Sequence, residues 1–124
     1  MEVKIFEATV NGIDLQRGEK KNYDSYHIPG MSRIHKQKRN CCFFKGANNA
    51  PHEMKKAEIC YLLQKAGHKY LTEVQSVADG RIIDIVDISH AAGQAVEYEV
   101  VDSSLTELTK KAIKQGKRII VVKT

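Results

Sequence analysis

Two aspartates interrupt the most apolar stretch of the chain, Ile82-Ile83-Asp84-Ile85-Val86-Asp87-Ile88. A carboxylate in such a run is costly to bury unless something compensates it, and a divalent cation is one such compensation. Strand alternation places Asp84 on the face of Ile82 and Val86, and Asp87 on the face of Ile83 and Ile85. Only one of the two can then serve a site on a given sheet face. Further on, Ala95-Val96-Glu97-Tyr98-Glu99-Val100-Val101 carries glutamates two positions apart, which point to the same side of a strand. With one aspartate of the neighbouring strand they would bring three carboxylates together. Hard oxygen ligands of this kind suit Mg²⁺ or Mn²⁺. Such an ion can acidify a water and neutralise charge on a phosphodiester. The same spacing also fits solvent-facing acids on an uncovered sheet.

The elements that must position these acids have their own signals. Pro51 suits a helix start, and Met54, Ala57, Tyr61 and Leu62, with Ile59, Leu63 and Ala66 beside them, give an apolar face at helical spacing up to a stop at Gly67. Lys69 to Val77 reads as a strand, Ala78-Asp79-Gly80 as a turn, Arg81 to Ser89 as a central strand and Ala95 to Val101 as a third. Ser104 with Glu107 forms a capping-box signature before a helix from Leu105 to Gln115, with Leu105, Leu108, Ala112 and Ile113 inward. Arg118 to Val122 is a last strand. The order from residue 51 is α-β-β-β-α-β, an α/β core with a mixed sheet flanked by helices. Ahead of it, residues 1–50 are expected as an extension of one single-domain protein. Val3, Ile5 and Val10, the Asn11-Gly12 turn, then Ile13 and Leu15 predict an N-terminal β-hairpin. Residues 17–50 show no helical period, and Cys41-Cys42-Phe43-Phe44 is a candidate short strand.

At 124 residues the chain suits one domain, and its 42% hydrophobic and 28% charged residues are ordinary for a globular protein. No apolar run could span a bilayer, and the start lacks the layout of a signal peptide. Cys41, Cys42 and Cys60 make no disulfide framework. A cytoplasmic protein is expected. Adjacent cysteines also lack zinc-ligand spacing, which disfavours a site from His35, Cys41, Cys42 and His52. The net charge is +5. Arg33, Lys36, Lys38, Arg39 and Lys45 form an acid-free basic stretch, and Lys110, Lys111, Lys114, Lys117 and Arg118 a second. Such clusters favour phosphate backbones, though most charge runs are simply solvated. Phe43 and Phe44 are expected in the core.

Asp84, a short connection, then Glu97-Tyr98-Glu99 within α-β-β-β-α-β resembles the signature of the PD-(D/E)XK nuclease superfamily. The likeness is closer to its CoiA-like and RecB-like branch. His52-x-x-x-Lys56, then Glu73, then Arg81-Ile82-Ile83-Asp84, then Val96-Glu97-Tyr98-Glu99 follow that branch's order, over a little more than half of the chain. The resemblance implies a restriction-endonuclease-like fold and Mg²⁺-dependent (or Mn²⁺-dependent) cleavage of DNA. Asp84, Glu97 and Glu99 would hold the metal, and Glu99 would orient the attacking water. Glu73, His52 and Lys56 would complete the catalytic set, the last two at its rim. Arg33, Lys36, Lys38 and Arg39 would bind the nucleic acid. A homodimer is a further implication, since small nucleases of this class often pair to cut two strands. The chain departs from the pattern with Glu99 where lysine is usual and Ile83 where proline is usual. The missing lysine is the best argument for the alternative, a non-catalytic nucleic-acid-binding module that keeps the nuclease fold.

Overall fold

A computed structural model describes residues 12–30, 36–102 and 105–124, with side chains from residue 18 onward. The elements are α1 (Gly12–Asp24), β1 (Tyr26–His27), α2 (Ala50–Lys65), β2 (Tyr70–Ser76), β3 (Ile82–Asp87), β4 (Val96–Val101), α3 (Glu107–Lys114) and β5 (Ile119–Lys123). The strands form one sheet in the order β1-β2-β3-β4-β5. The first three junctions are antiparallel, and β5 lies parallel to β4 after the α3 crossover. The chain is thus an α/β protein with a five-stranded mixed sheet flanked by helices.

The strands alternate between two apolar clusters, one on each sheet face. Ile59, Cys60 and Leu63 of α2 pack on Tyr70, Ile85, Val96, Tyr98, Val100 and Val122. On the other face Tyr23 of α1 and Tyr26 of β1 pack on Leu71, Val74, Ile83, Val86 and Ile88. Asn49 caps α2 by accepting the His52 N–H. Gly67, at φ +80°, ends it, and the His68 N–H returns to the Leu63 carbonyl.

Residues 12–16 are helical, not the return strand of a hairpin; the predicted outgoing strand and Asn11 lie outside the described residues. Among the described side chains of α1, Gly18, Asn22 and Tyr23 are the buried ones. This is helical spacing written with a glycine and an amide, which an apolar period does not detect. A Cβ at Gly18 would lie 2.1 Å from the His90 carbonyl oxygen. Asn22 Nδ2 donates to the carbonyls of Ile88, His90 and Ala91, and its Oδ1 accepts the Gly93 N–H. Together these contacts fasten α1 to the loop after β3.

The inward face of α2 is also turned from the expected one. It is Glu53, Lys56, Ile59, Cys60 and Leu63, while Met54 and Tyr61 are 72% and 63% exposed. Two charged residues hold the first half of the buried stripe, and an apolar pattern passes over them. On α3 the buried residues are Thr109 and Ala112, and Leu108 and Ile113 are exposed. Thr106 is its N-cap, accepting the Thr109 N–H; Ser104, the predicted cap, lies outside the described residues. Cys41–Phe44 is not a strand. It follows β2 through the Thr72 hydroxyl, which donates to the Cys41 carbonyl and accepts the Phe43 N–H. Phe43 and Phe44 are exposed, not core.

Candidate functional site

The sheet is distorted where the predicted acids lie. β2 and β3 pair Thr72 with Ile85 and Val74 with Ile83, so Glu73 and Asp84 face each other between these pairs. Glu73 has φ +52°, the left-handed region that non-glycine residues rarely enter. Alternation therefore breaks. Leu71 and Val74 share one cluster, and so do Ile83 and Val86. Glu73 turns to α2 and accepts from Lys56 Nζ at 2.8 Å. Asp84 does not follow Val86, as simple alternation predicts. Its Oδ2 lies 3.5 Å from His52 Nε2 on α2. Cross-strand pairing of β3 with β4 starts at Asp87 and Val96 and stops at Ile85 and Tyr98. Beyond that point the Asp84 carboxylate accepts the Val100 N–H at 2.9 Å. The two strands part there, and a carboxylate stands where a backbone carbonyl would otherwise accept.

Glu99 lies in this opening. Burial first, then the negative charges of Asp84 and Glu97, push its carboxyl up to about 9, with Arg81 opposing. At neutral pH it is a protonated acid hydrogen-bonded to Asp84. Its Oε1 is buried and has no hydrogen-bond partner. A carboxyl group with one orphaned oxygen, beside a second carboxylate, is a donor set that a hard divalent cation fits.

Glu97 is buried and otherwise engaged. Tyr26 donates to its Oε2 at 2.7 Å, and Arg81 Nη2 lies 2.8 Å from its Oε1 as an ion pair outside hydrogen-bond angles. Arg81 Nε also donates to Asp79 at 2.7 Å. Burial and the Glu97 charge raise the Tyr26 phenol, which stays a donor. Sequence pattern assigns no role to Tyr26 or Arg81. Arg81 carries a signal, three residues before Asp84; Tyr26 comes from the segment without a readable period.

On the helix side, Lys56 Nζ is fully buried between Glu53 and Glu73, each at 2.8 Å. Burial works against its charge, but the two carboxylates hold its pKa above the ordinary lysine value. Glu53 also accepts from the Lys45 N–H and Asn48 Nδ2 and lies 3.0 Å from His52 Nδ1. Burial opposes its charge, yet Lys56 and these other donors bring it to about 2. Glu53 is therefore a structural centre of the site. The six predicted catalytic residues thus form two linked groups. Glu99 hydrogen-bonds Asp84, with His52 beside Asp84, and Glu97 stands behind them on Arg81 and Tyr26. Lys56 and Glu73 form a buried pair with no free donor toward solvent.

Among the described residues, one trio of metal-binding side chains has all its ligand atoms within 4.8 Å, and it is His68, Asp87 and His90. Of the residues expected to meet nucleic acid, Arg33 lies outside the described residues, as does His35. Lys36 and Lys38 are exposed. Arg39 is engaged, 3.1 Å from Glu19 and stacked over the Tyr23 ring at 4.1 Å. Cys41, Cys42 and Cys60 are free thiols. No described helix is long and apolar enough to cross a membrane. The site is thus a carboxylate pair at a fork of a mixed α/β sheet. Comparison with known proteins adds no kinship: no family model, no curated protein and no solved structure matches the chain.

Proposed function

We propose that the chain is a divalent-metal-dependent nuclease acting on DNA, with a restriction-endonuclease-like core and a metal held first by Asp84 and Glu99. The observation that carries this reading is the fork between β3 and β4, where Glu99, one of its buried oxygens unpartnered, lies beside the Asp84 carboxylate. Mg²⁺ or Mn²⁺ there would supply Lewis acidity toward a phosphodiester and a more acidic water. Glu97 would join as a ligand by exchanging one of its two contacts. His52 turns Nδ1 to Glu53 and Nε2 to Asp84. It can hold a proton at Nε2 at the rim and pass it to solvent. Lys56 positions Glu53 and Glu73 and touches no substrate. Phe43 and Phe44 are exposed beside this rim, where an unpaired base can stack. Lys36 and Lys38, with the exposed lysines of α3, supply backbone contacts.

One observation favours a second reading. Both Glu97 oxygens already have partners within the protein, which suits a nucleic-acid-binding module without catalysis. Incubation of wild type and Asp84→Asn with single-stranded, duplex and branched DNA, and with RNA, in Mg²⁺ or Mn²⁺ separates the two. Metal-dependent cleavage lost in Asp84→Asn supports the nuclease. Binding without cleavage by wild type supports the module.

A further inference from the structure

Asp87 is one of the two acids inside the central strand, yet it has no part in the fork. It is fully buried at the end of β3. His68 Nδ1, just past the end of α2, lies 2.6 Å from its Oδ2, and His90 Nε2 lies 2.8 Å from the same oxygen. The two rings meet edge to face, 5.7 Å between centroids. Two imidazole nitrogens thus meet on one carboxylate oxygen, the three ligand atoms within 4.8 Å of one another, at the opposite end of α2 from His52.

We propose that His68, Asp87 and His90 form a binding site for a divalent transition-metal ion, zinc fitting the donor set best, and that this ion ties the end of α2 to the end of β3. The nitrogen-rich donor set suits zinc, whereas the all-oxygen set at Asp84 and Glu99 suits Mg²⁺ or Mn²⁺. Ligand atoms around tetrahedral zinc stand about 3.3 Å apart. The two nitrogen–oxygen separations, 2.6 and 2.8 Å, need open by only about half an ångström, and all three ligand atoms already lie within 4.8 Å of one another. Each imidazole then moves its ring proton to its other nitrogen. The frame is already fixed. The Ser89 N–H holds Asp87 Oδ1 at 3.0 Å. Asn40 donates to the His68 carbonyl and Asn22 to the His90 carbonyl. The Ser89 bond to the ligating carboxylate is support of the kind that sharpens metal affinity, and the two asparagines fix the backbone on which the histidines stand. Access exists on one side, since the His68 side chain is 20% exposed while Asp87 and His90 are closed. An ion entering from that side would complete its tetrahedron with water. The inference does not depend on the nuclease reading.

Titration of the full chain with Co²⁺, followed by visible ligand-field absorption and by displacement with Zn²⁺, tests it. Wild type and Asp84→Asn should each show one saturating tetrahedral band set that zinc abolishes, and His68→Asn should show none. His68→Cys should keep the bands and add a thiolate charge-transfer band in the near ultraviolet. Because Cys41, Cys42 and Cys60 are also free thiols, a cooperative thermal melt of the same cobalt-loaded sample must show that the signal comes from the folded variant. Absence of bands in wild type, bands that survive His68→Asn, bands lost with Asp84→Asn, or no charge-transfer band in His68→Cys would each overturn the proposal and leave a hydrogen-bonded trio only.

Discussion

Lys56 and Glu73 meet at 2.8 Å beneath α2, the lysine without exposed side-chain surface and the glutamate on a left-handed backbone. Removing the ammonium leaves Glu53 and Glu73 facing each other without a counter-charge. Lys56→Met should therefore destabilise the fold by about 3–5 kcal/mol, the usual scale for breaking a buried pair from one side. Adding Glu73→Gln should recover part of that loss. Urea midpoints at constant slope measure both.

Glu99 gives the fold a pH dependence of known sign. Its folded carboxyl titrates at about 9, above the ordinary value of 4.5, so the native state binds the extra proton. The stability it contributes is complete below about pH 4.5 and is lost as pH rises to about 9. Without divalent metal the slope should reach at most about 1.4 kcal/mol per pH unit in that window. Glu99→Gln should flatten it. On the nuclease reading, Mn²⁺ should stabilise wild type increasingly from pH 6 to 9 and the variant far less. Thermal melts across pH, with and without the ion, read both effects.

On the nuclease reading, Asp84 has a structural and a chemical task that two substitutions separate. Asp84→Ala removes the acceptor of the Val100 N–H and should cost about 1–3 kcal/mol. Asp84→Asn keeps an oxygen there and should cost less. Both should lower metal-dependent cleavage by about 10²-fold or more, the scale of losing one main charge-stabilising group. Equal activity of wild type and Asp84→Asn would remove Asp84 from the chemistry.

The basic loop should divide in the same manner. Lys36→Gln with Lys38→Gln should flatten the dependence of log affinity on log salt by up to roughly one unit for each phosphate no longer neutralised. Arg39→Gln should instead lower stability, because Arg39 is held by Glu19 and Tyr23. Salt-dependent binding curves and melting temperatures give the two readouts.

The strand order and the two later helices are legible because Ile82–Asp87, Val96–Val101 and Ile119–Lys123 are apolar and β-branched, with turn residues between them. The faces are harder. Glu73 breaks the period of two at its positive φ, and no residue type announces that distortion. Glu53 and Lys56 hide the buried face of α2 because their burial depends on a partner, Glu73, distant in sequence. Asp84, Glu97 and Glu99 stand out as acids on neighbouring strands. That Arg81 and Tyr26 engage Glu97 depends on β1, which residues 17–50 do not disclose. Asp87 is visible as a strand acid, but its two histidines lie in the turns that flank β2 and β3, where no spacing rule joins them.

The close seat of Gly18 on His90, with Asn22 spanning the same loop, bears on how the protein can be cut apart. A fragment beginning at residue 51 would retain every acid of the fork and both histidines of the trio. It would leave the Ile88, His90 and Ala91 carbonyls without their amide donor, Glu97 without its phenol and Leu71, Ile83 and Val86 open to water. Modular shuffling of the α-β-β-β-α-β segment into another chain would thus carry the chemistry without its scaffold. The first helix behaves as a lid glued to the back of the sheet, and a boundary for dissection or fusion belongs ahead of it.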